Sequence, residues 1–551
     1  MLVYEEVAAT LKRFGVDTVF GLMGDGNMRI ITSMVERYGI KYYSAKHETG
    51  AFSMADAYAR ITGKVGICTV TQGPGVTNTI TPLVEAVKAR TPILLLAGAP
   101  STGMRWHNQY VDHAALATAV GAGHEPFRGV ATVISDLTYA LRRAVLESRP
   151  IVFSIPTDVQ DLAIEPSNQA QQPVEIIQRT FPDPEVVKKM ADLVQAAHRP
   201  VILGGRGAVR SGAEHVLAQL GERIGALLAT SVMGKGLFSK NAFNIGVAGG
   251  FSTSLARRLL GEADLIIAFG ASMNQWTTHH DTIYPPSAKV IQCDITPTAI
   301  ATQSRVTLGS VGDAAATAEA LLQELAARGF QQTGFRNDTV EKVIATYRPE
   351  DEFEDEGIEG RVDPRLLTLR LKQLLPSEYT LVVDGGHCTG FPIAYLDAPD
   401  AAGWFFPINS QALAIGVGGA IGAAIARPDR LTTLVIGDGA MMMGVMDIDA
   451  AVRYNLPILM IVLNDAAYGA EIHLLEQLGI TTTYAHYKDL DIAAIARGMG
   501  AQGLTVHTLS ELDEIQRWLA HPVGPLVVDC KVNPTVRGEW FKHAFGKGSA
   551  H

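Results

Sequence analysis

The stretch Leu434–Glu471, LVIGDGAMMMGVMDIDAAVRYNLPILMIVLNDAAYGAE, decides the fold. Leu434-Val435-Ile436 reads as a buried strand, broken by Gly437-Asp438-Gly439. The pattern from Met441 to Tyr454 predicts a helix. Pro457 restarts an apolar strand, Ile458 to Leu463, which ends at Asn464-Asp465. This is one strand–helix–strand unit of a parallel sheet. Both strands end at the sheet edge where α/β folds bind ligands, and each delivers an acid there. Asp438 and Asp465 are thus placed to hold one hard cation from adjacent strand ends. Gly437 and Gly439 let backbone approach a diphosphate, and the helix N-terminus favours its charge.

Gly-Asp-Gly followed after some two dozen residues by Asn-Asn is the signature that this stretch resembles, that of the thiamine diphosphate enzymes. Here 24 residues, 440 to 463, separate Gly439 from Asn464, and Asp465 replaces the second Asn. The resemblance implies a Mg²⁺ held by Asp438, Asp465 and the backbone oxygen of Ala467. It also implies that Gly437, Gly439, Ala440 and Tyr468 line the cofactor. The chain carries its own control: Gly24-Asp25-Gly26 is a second such triplet, but 24 residues after it stands Ala51-Phe52, which binds no metal.

At 551 residues the chain exceeds one core, and about three domains are expected. Hydrophobic residues make up 47% and charged residues 19%, a globular balance. The net charge of −10, with no basic run, argues against nucleic acid as a partner. Cys68, Cys293, Cys388 and Cys530 are scattered and read as reduced thiols of a cytoplasmic protein. The N-terminal MLVYEEVAATLKRFG reads as an amphipathic helix and not a signal peptide. The longest apolar run, Ala412 to Ala426, is too short to span a bilayer and reads as a tightly packed buried helix.

The fold class is α/β, with three doubly wound parallel-sheet domains. Residues 1–164 alternate strand and helix, with strands near Val16–Gly21, Tyr42–Ala45, Val65–Thr69, Ile93–Ala97 and Ile151–Ile155. Helices are expected from Asn27, over Thr49–Ile61 and over Val76–Ala89. A polar linker at 165–184 precedes a central unit, 185–335, with strands near Val201–Gly204, Leu227–Thr230, Leu265–Phe269 and Val290–Asp294. Gly204-Gly205-Arg206-Gly207 follows the first of these without completing a dinucleotide fingerprint. A second surface linker is expected at 336–362, and 363–551 form the third unit. The first and third units share a layout that suggests duplication. Order and motifs resemble the acetolactate synthase and 2-oxo acid decarboxylase group from about residue 3 to 535. The resemblance implies that 1–164 bind the pyrimidine of thiamine diphosphate and 363–551 its diphosphate. It further implies a homodimer or homotetramer with each site between two subunits.

Within that resemblance, Glu48 in His47-Glu48-Thr49-Gly50-Ala51 matches the activating glutamate. Such an acid drives the cofactor's carbon to attack a carbonyl. Leu413, in Gln411-Ala412-Leu413-Ala414, matches the apolar wedge that bends the cofactor. Gly386 and His387, after the strand ending at Asp384, match the diphosphate loop. Thr71 and Gly73 match the loop facing the pyrimidine. Three positions bear on the reaction. Asp25 stands where decarboxylases carry an acid, although Met23 replaces their usual Pro. Glu471 stands at a second decarboxylase acid; two carboxyls in one closed site can be split in pKa to supply a proton donor. Gln109 and Asp112 match the Gln-x-x-Asp pattern of acetolactate synthases, while His107 and His113 only roughly match the decarboxylase histidine pair.

These residues point to a lyase or carboligase acting on a 2-oxo acid: CO₂ leaves, and the resulting enamine is protonated to an aldehyde or adds to a second carbonyl. The alternative within the family is acetolactate-synthase-type ligation. A flavin or nicotinamide oxidoreductase and a non-catalytic subunit are the competing classes. Trp276 stands where acetolactate synthases carry an FAD-binding arginine, which reads against FAD.

Overall fold

The computed structural model describes residues 1–104, 106–165, 179–331 and 334–544. Most of the linker expected at 165–184 lies outside them. Three six-stranded sheets follow one another, and every paired strand runs parallel to its neighbour. The first holds β1 (Thr18–Gly21), β2 (Lys41–Ser44), β3 (Gly66–Val70), β4 (Ile93–Ala99), β5 (Gly123–Glu125) and β6 (Ile151–Pro156), in the order β2-β1-β3-β4-β6-β5. The second holds β7 (Pro200–Gly204), β8 (Leu227–Thr230), β9 (Asn244–Val247), β10 (Leu265–Phe269), β11 (Lys289–Asp294) and β12 (Leu308–Val311), in the order β12-β11-β10-β7-β8-β9. The third holds β13 (Tyr379–Val383), β14 (Trp404–Phe405), β15 (Leu431–Gly437), β16 (Ile458–Asn464), β17 (Gln502–Val506) and β18 (Leu526–Lys531), in the order β14-β13-β15-β16-β18-β17. Counted within each sheet, the first and third orders are the same, as their common layout suggested.

Helices cover both faces, so the inner strands are largely apolar; every residue of β16 is buried. Strand order reverses between β1 and β3, between β7 and β10, and between β13 and β15. Connections leave in opposite directions there and open a crevice at the carboxyl ends of the strands. Asp25 and Thr71 follow the first pair of strands; Gly386 and Asp438 follow the third.

The structure corrects four expectations. The helix after the Gly-Asp-Gly begins at Asp438, not Met441, and breaks into Asp438–Gly444, a turn at Val445–Asp447, and Ile448–Arg453. Gly444 at the break is a poor helix former. The single helix expected over Val76–Ala89 is two, Pro74–Thr77 and Ile80–Lys88. The carbonyl of Asn78 between them accepts from the Thr49 hydroxyl at 2.7 Å. The surface linker at 336–362 contains a helix, Asp338–Thr346, whose Val340, Val343 and Ile344 pack on the second sheet's core. Strands β5, β9, β12, β14, β17 and β18 were not expected; all but β18 are edge strands of their sheets. Among the described residues no helix is long and apolar enough to cross a membrane.

The first and third units meet where helix Glu48–Thr62 lies against helix Gly416–Ala426. A Cβ on Gly418 would stand 2.8 Å from the Gly50 carbonyl oxygen, and one on Gly422 would strike the Met54 carbonyl. Beside this joint Arg60 pairs with Asp56 and Glu85, both fully buried, over the ring of Phe405. Glu85 also accepts from Asn409 Nδ2 and from the Ser410 amide, each at 2.7 Å. Replacing Arg60 by Met leaves two buried carboxylates without their cation. We expect denaturant unfolding to show a loss of ~3–5 kcal/mol; a loss below ~1 kcal/mol, the range of an exposed pair, would contradict this role.

Candidate active site

Three loops of the first unit knit together at the β1/β3 crevice. In the turn Gly24-Asp25-Gly26, the Gly24 amide donates to Asn27 Oδ1 at 2.8 Å and the Gly26 amide to Thr71 Oγ1 at 3.2 Å. A Cβ on Gly98 would lie 2.6 Å from Gly26 Cα, so these backbones cross only as glycines. Asp25 accepts from Thr71 Oγ1 at 2.9 Å and from Gln72 Nε2 at 3.0 Å. The same Gln72 nitrogen donates to Gln109 Oε1 at 2.9 Å. Gly73, at φ +61°, needs glycine twice over, since a Cβ there would stand 2.5 Å from the Gln109 carbonyl oxygen. His107 Nδ1 accepts from the Gln109 amide at 3.1 Å and fixes that loop's turn. Asp25 and Gln109 thus fall into one network.

Glu48 is the first residue of its helix and is 7% exposed. Asn78 Nδ2 donates to its Oε2 at 2.9 Å. The structure places His113 elsewhere. Its ring is buried with Nδ1 against Ser154 Oγ at 2.8 Å, and its Nε2 has no partner among the described residues. Asp112 caps the same helix through the Ala115 amide.

The third unit's crevice gathers the cation candidates. Asp438 opens its helix and accepts from the Gly439 amide at 2.9 Å and the Ala466 amide at 3.1 Å. Asp465 accepts from the Ala467 amide at 3.1 Å and lies against Asp438. Burial raises both carboxyls above the ordinary range, and for Asp465 the neighbouring Asp438 charge adds to it. Tyr487 donates its hydroxyl to the Ala467 carbonyl at 3.0 Å and also meets Asp438. Asn464 points the other way, donating to Asp529 Oδ1 at 2.8 Å. Two carboxylates and a carbonyl form an all-oxygen donor set, which fits Mg²⁺. No cluster of three or more His, Cys, Asp or Glu side chains that could hold a metal stands among the described residues.

Around this pair, Gly437 caps the helix and Ala440 is buried in its first turn. A Cβ on Gly439 would approach Tyr487 Oη at 3.2 Å and the Tyr468 ring at 3.3 Å, so the cradle is open only to glycine's size. Tyr468 is half-exposed with its ring edge-on to Tyr487. Leu413 projects from a segment with two left-handed non-glycine residues, Gln411 at φ +57° and Ala414 at φ +71°. Such strain concentrates at functional sites. It lines a cavity of ≈ 220 Å³ with His47, Thr49, Gly50 and Asp447. Gly386 adopts φ +114°. The His387 ring is buried under Trp540 and Phe541, and its Nε2 accepts from the Gly538 amide at 2.9 Å. Glu471 is exposed in the first turn of helix Gly469–Leu478. A larger cavity, ≈ 420 Å³, lies between the second and third sheets and touches none of these residues.

Gln72, Asn78 and Tyr487 escaped the sequence reading. Gln72 and Asn78 sit in or just after a loop already singled out, and only the three-dimensional contacts separate them from their neighbours. All four cysteines are free.

Sequence models of three domains match the chain: the thiamine pyrophosphate enzyme N-terminal TPP binding domain at 1–116, the central domain at 187–321, and the C-terminal TPP binding domain at 384–530. An acetolactate synthase large subunit of Parasynechococcus marenigrum is 28% identical over 90% of this chain and 82% of its own length. A sulfoacetaldehyde acetyltransferase of Rhodobacter capsulatus is 28% identical over 94% and 91%. A Pseudomonas aeruginosa protein named "Probable 2-ketoarginine decarboxylase" is 28% identical over 93% and 90%.

Burial pushes the His113 imidazole down to about 4, from an ordinary 6.5. The unfolded chain then binds the extra proton, so stability is complete above pH ~6.5 and is lost as pH falls toward ~4. Between pH 7 and 5 His113 accounts for about 2 kcal/mol of that loss. Replacing His113 by Gln should flatten unfolding free energy against pH by this amount; an unchanged slope would refute it.

Proposed function

The chain belongs to the thiamine pyrophosphate enzymes, in the acetolactate synthase group, and from that premise we propose that it decarboxylates a 2-oxo acid and either protonates the product carbon or joins it to a second carbonyl. In the first outcome one 2-oxo acid gives an aldehyde and CO₂. In the second, a 2-oxo acid and a second carbonyl compound give a hydroxyketone and CO₂. The observation that carries this reading is the network in which Gln72 joins Asp25, the decarboxylase-type acid, to Gln109, the ligase-type amide.

When bound, thiamine diphosphate supplies the carbon nucleophile and the electron sink that decarboxylation needs. Asp438, Asp465 and the Ala467 carbonyl would hold Mg²⁺. Gly437, Gly439, Ala440, Gly386 and Tyr468 would hold the diphosphate, with His387 supporting the Gly386 loop from beneath. Leu413, Thr71 and Gly73 would hold the ring portion of the cofactor. Glu48 would hold and exchange a proton at its carboxyl, which Asn78 keeps in place through Oε2. Asp25 and Glu471 would serve as proton donors to the product. Gln109 donates to the oxygen of a second substrate, and His107 fixes its backbone. His113 is assigned no step. With Trp276 at the arginine position, the central unit is assigned no FAD.

The site is proposed to form between two copies of the chain, Glu48 of one facing Asp438 of the other, in a homodimer or homotetramer. Apolar side chains are exposed around both half-sites: Met23, Trp106 and Tyr110 on the first, Met443, Met446 and Tyr468 on the third. Such rims support burial against a partner.

A screen of 2-oxo acids with thiamine diphosphate and Mg²⁺, following CO₂ and identifying the organic product, tests the reaction. Glu48→Gln should stop all turnover. Asp25→Asn with Glu471→Gln should still consume 2-oxo acid when an artificial electron acceptor is present, while aldehyde release falls ~10²–10⁴-fold. Aldehyde release at the parent rate would sink the assignment of both acids.

Assembly has its own test. Mixed Glu48→Gln and Asp438→Ala subunits, each inactive alone, should regain part of the activity because one site in a hybrid dimer is intact. No recovery after demonstrated subunit exchange would contradict a shared site.

A further inference from the structure

We propose that Gln72 is a positioning residue that sets the polarity of Gln109, so that Gln109 presents N–H donors to the oxygen of the second, acceptor substrate. The inference rests on the reading of the site as a 2-oxo acid carboligase.

Polarity is set from one acid outward. Asp25 Oδ2 faces the Gln72 side chain, and a carboxyl oxygen that carries no proton only accepts. The Gln72 side-chain atom 3.0 Å from it is therefore the amide nitrogen. That orientation turns Gln72 Oε1 toward the Thr71 hydroxyl at 2.9 Å, whose one proton goes either to it or to Asp25. The second proton of the Gln72 nitrogen then needs an acceptor, and the Gln109 atom at 2.9 Å must be its oxygen. With its oxygen engaged, Gln109 has its own nitrogen left over, and that nitrogen makes no hydrogen bond among the described residues. Gln72 is 1% exposed and does not reorient freely. A side chain on Gly26 would run into the Gln72 amide, and the Gln109 backbone closes over Gly73. The chain Asp25–Gln72–Gln109 thus transmits the acceptor character of a carboxylate across two amides and ends in a free donor. A carbonyl or carboxylate oxygen is what such a donor recognises. Gln72 also bonds Asp25, so its variants bear on protonation too; ligation is the part that depends on the second substrate, and it shows in the KM for pyruvate.

Gln72→Glu tests this with nearly unchanged shape. The introduced carboxyl shares one proton with Asp25 and has none left for Gln109, so Gln109 must turn its N–H groups inward and offer oxygen to the acceptor. Gln72→Ala frees Gln109 altogether. The parent and both variants are compared, as thiamine diphosphate and Mg²⁺ holoenzymes, on the 2-oxo acid that the parent decarboxylates fastest, with pyruvate as acceptor. We expect the ratio of hydroxyketone to aldehyde to fall about tenfold or more in both variants, with a raised KM for pyruvate. Total 2-oxo acid consumption with an artificial electron acceptor should fall far less. Gln72→Ala combined with Gln109→Ala should be no worse than Gln109→Ala alone, because the first acts through the second. A crystal structure of Gln72→Ala should show the Gln109 side chain displaced, a readout independent of turnover. A ratio within about twofold of the parent, additive effects in the double variant, or an unmoved Gln109 would overturn the proposal alone. A parent enzyme that releases CO₂ from no 2-oxo acid would overturn the functional reading, and the proposal with it.

Discussion

Two helices lying backbone against backbone carry the rest of the molecule. Helix Glu48–Thr62 and helix Gly416–Ala426 approach so closely that Gly418 and Gly422 leave room only for carbonyls of the opposing helix. Close packing of this kind is intolerant of added volume. Its consequences run in both directions along the chain. Glu48 is the first residue of one helix, so its depth is set by the joint. The Leu413 segment leads directly into the other, so its strained backbone is braced by the same contact. The Arg60 network adds a polar lock: Glu85 of the first unit accepts from Asn409 and Ser410, just before that segment. Buried charge is a costly way to join two surfaces, and partner removal is more damaging than neutral replacement of the whole set. Such a lock favours one registry over many loosely packed ones.

Each crevice arises from topology before any catalytic residue is considered. Parallel strands require crossovers on both faces, and reversal of strand order leaves a gap at their carboxyl ends. The first and third sheets share one strand order and so present equivalent gaps. They are filled differently. In the first, glycines at 26, 73 and 98 let three loops interlock around Asp25, Gln72 and Gln109. In the third, two acids approach each other with an all-oxygen surround. Asp438 and Asp465 make each other's ionisation costlier, because buried like charges disfavour joint ionisation. A divalent cation between them would relieve that cost. Asp in place of the family's second Asn deepens both the cost and the relief.

The fold was legible because its inner strands are continuous apolar runs ended by Gly and Asp, a pattern fixed by burial on both faces. Edge strands β5, β9 and β12 were not, since GHE, NIGV and LGSV lack such runs and are defined by their neighbours. The helix after Asp438 was read as continuous because periodicity carries no record of Gly444 and the turn that follows it. The approach of Asp438 and Asp465 was legible because spacing along one strand–helix–strand unit fixes it. The roles of Gln72 and Asn78 were hidden, because they depend on which loops meet and not on any local pattern. His387 shows the reverse: the sequence marks its loop, but the direction of its ring is decided by Trp540 and Phe541 from the far end of the chain.

The division of labour between the crevices explains why one architecture supports several reactions. The third unit contributes two facing acids and a glycine-edged cradle at the ends of its strands. The first unit's contribution beyond Glu48 is a loop network, and loops vary without disturbing the sheets that carry them. Relatives equally similar to this chain carry the names of a synthase, an acetyltransferase and a decarboxylase. Overall identity therefore does not select the reaction. Selection must lie in a few side chains, and a short hydrogen-bonded chain is a sensitive place for it. Reversing one amide exchanges a donor for an acceptor without moving an atom of backbone. An acid at one end of such a chain then acts on chemistry at the other end, with no contact between them.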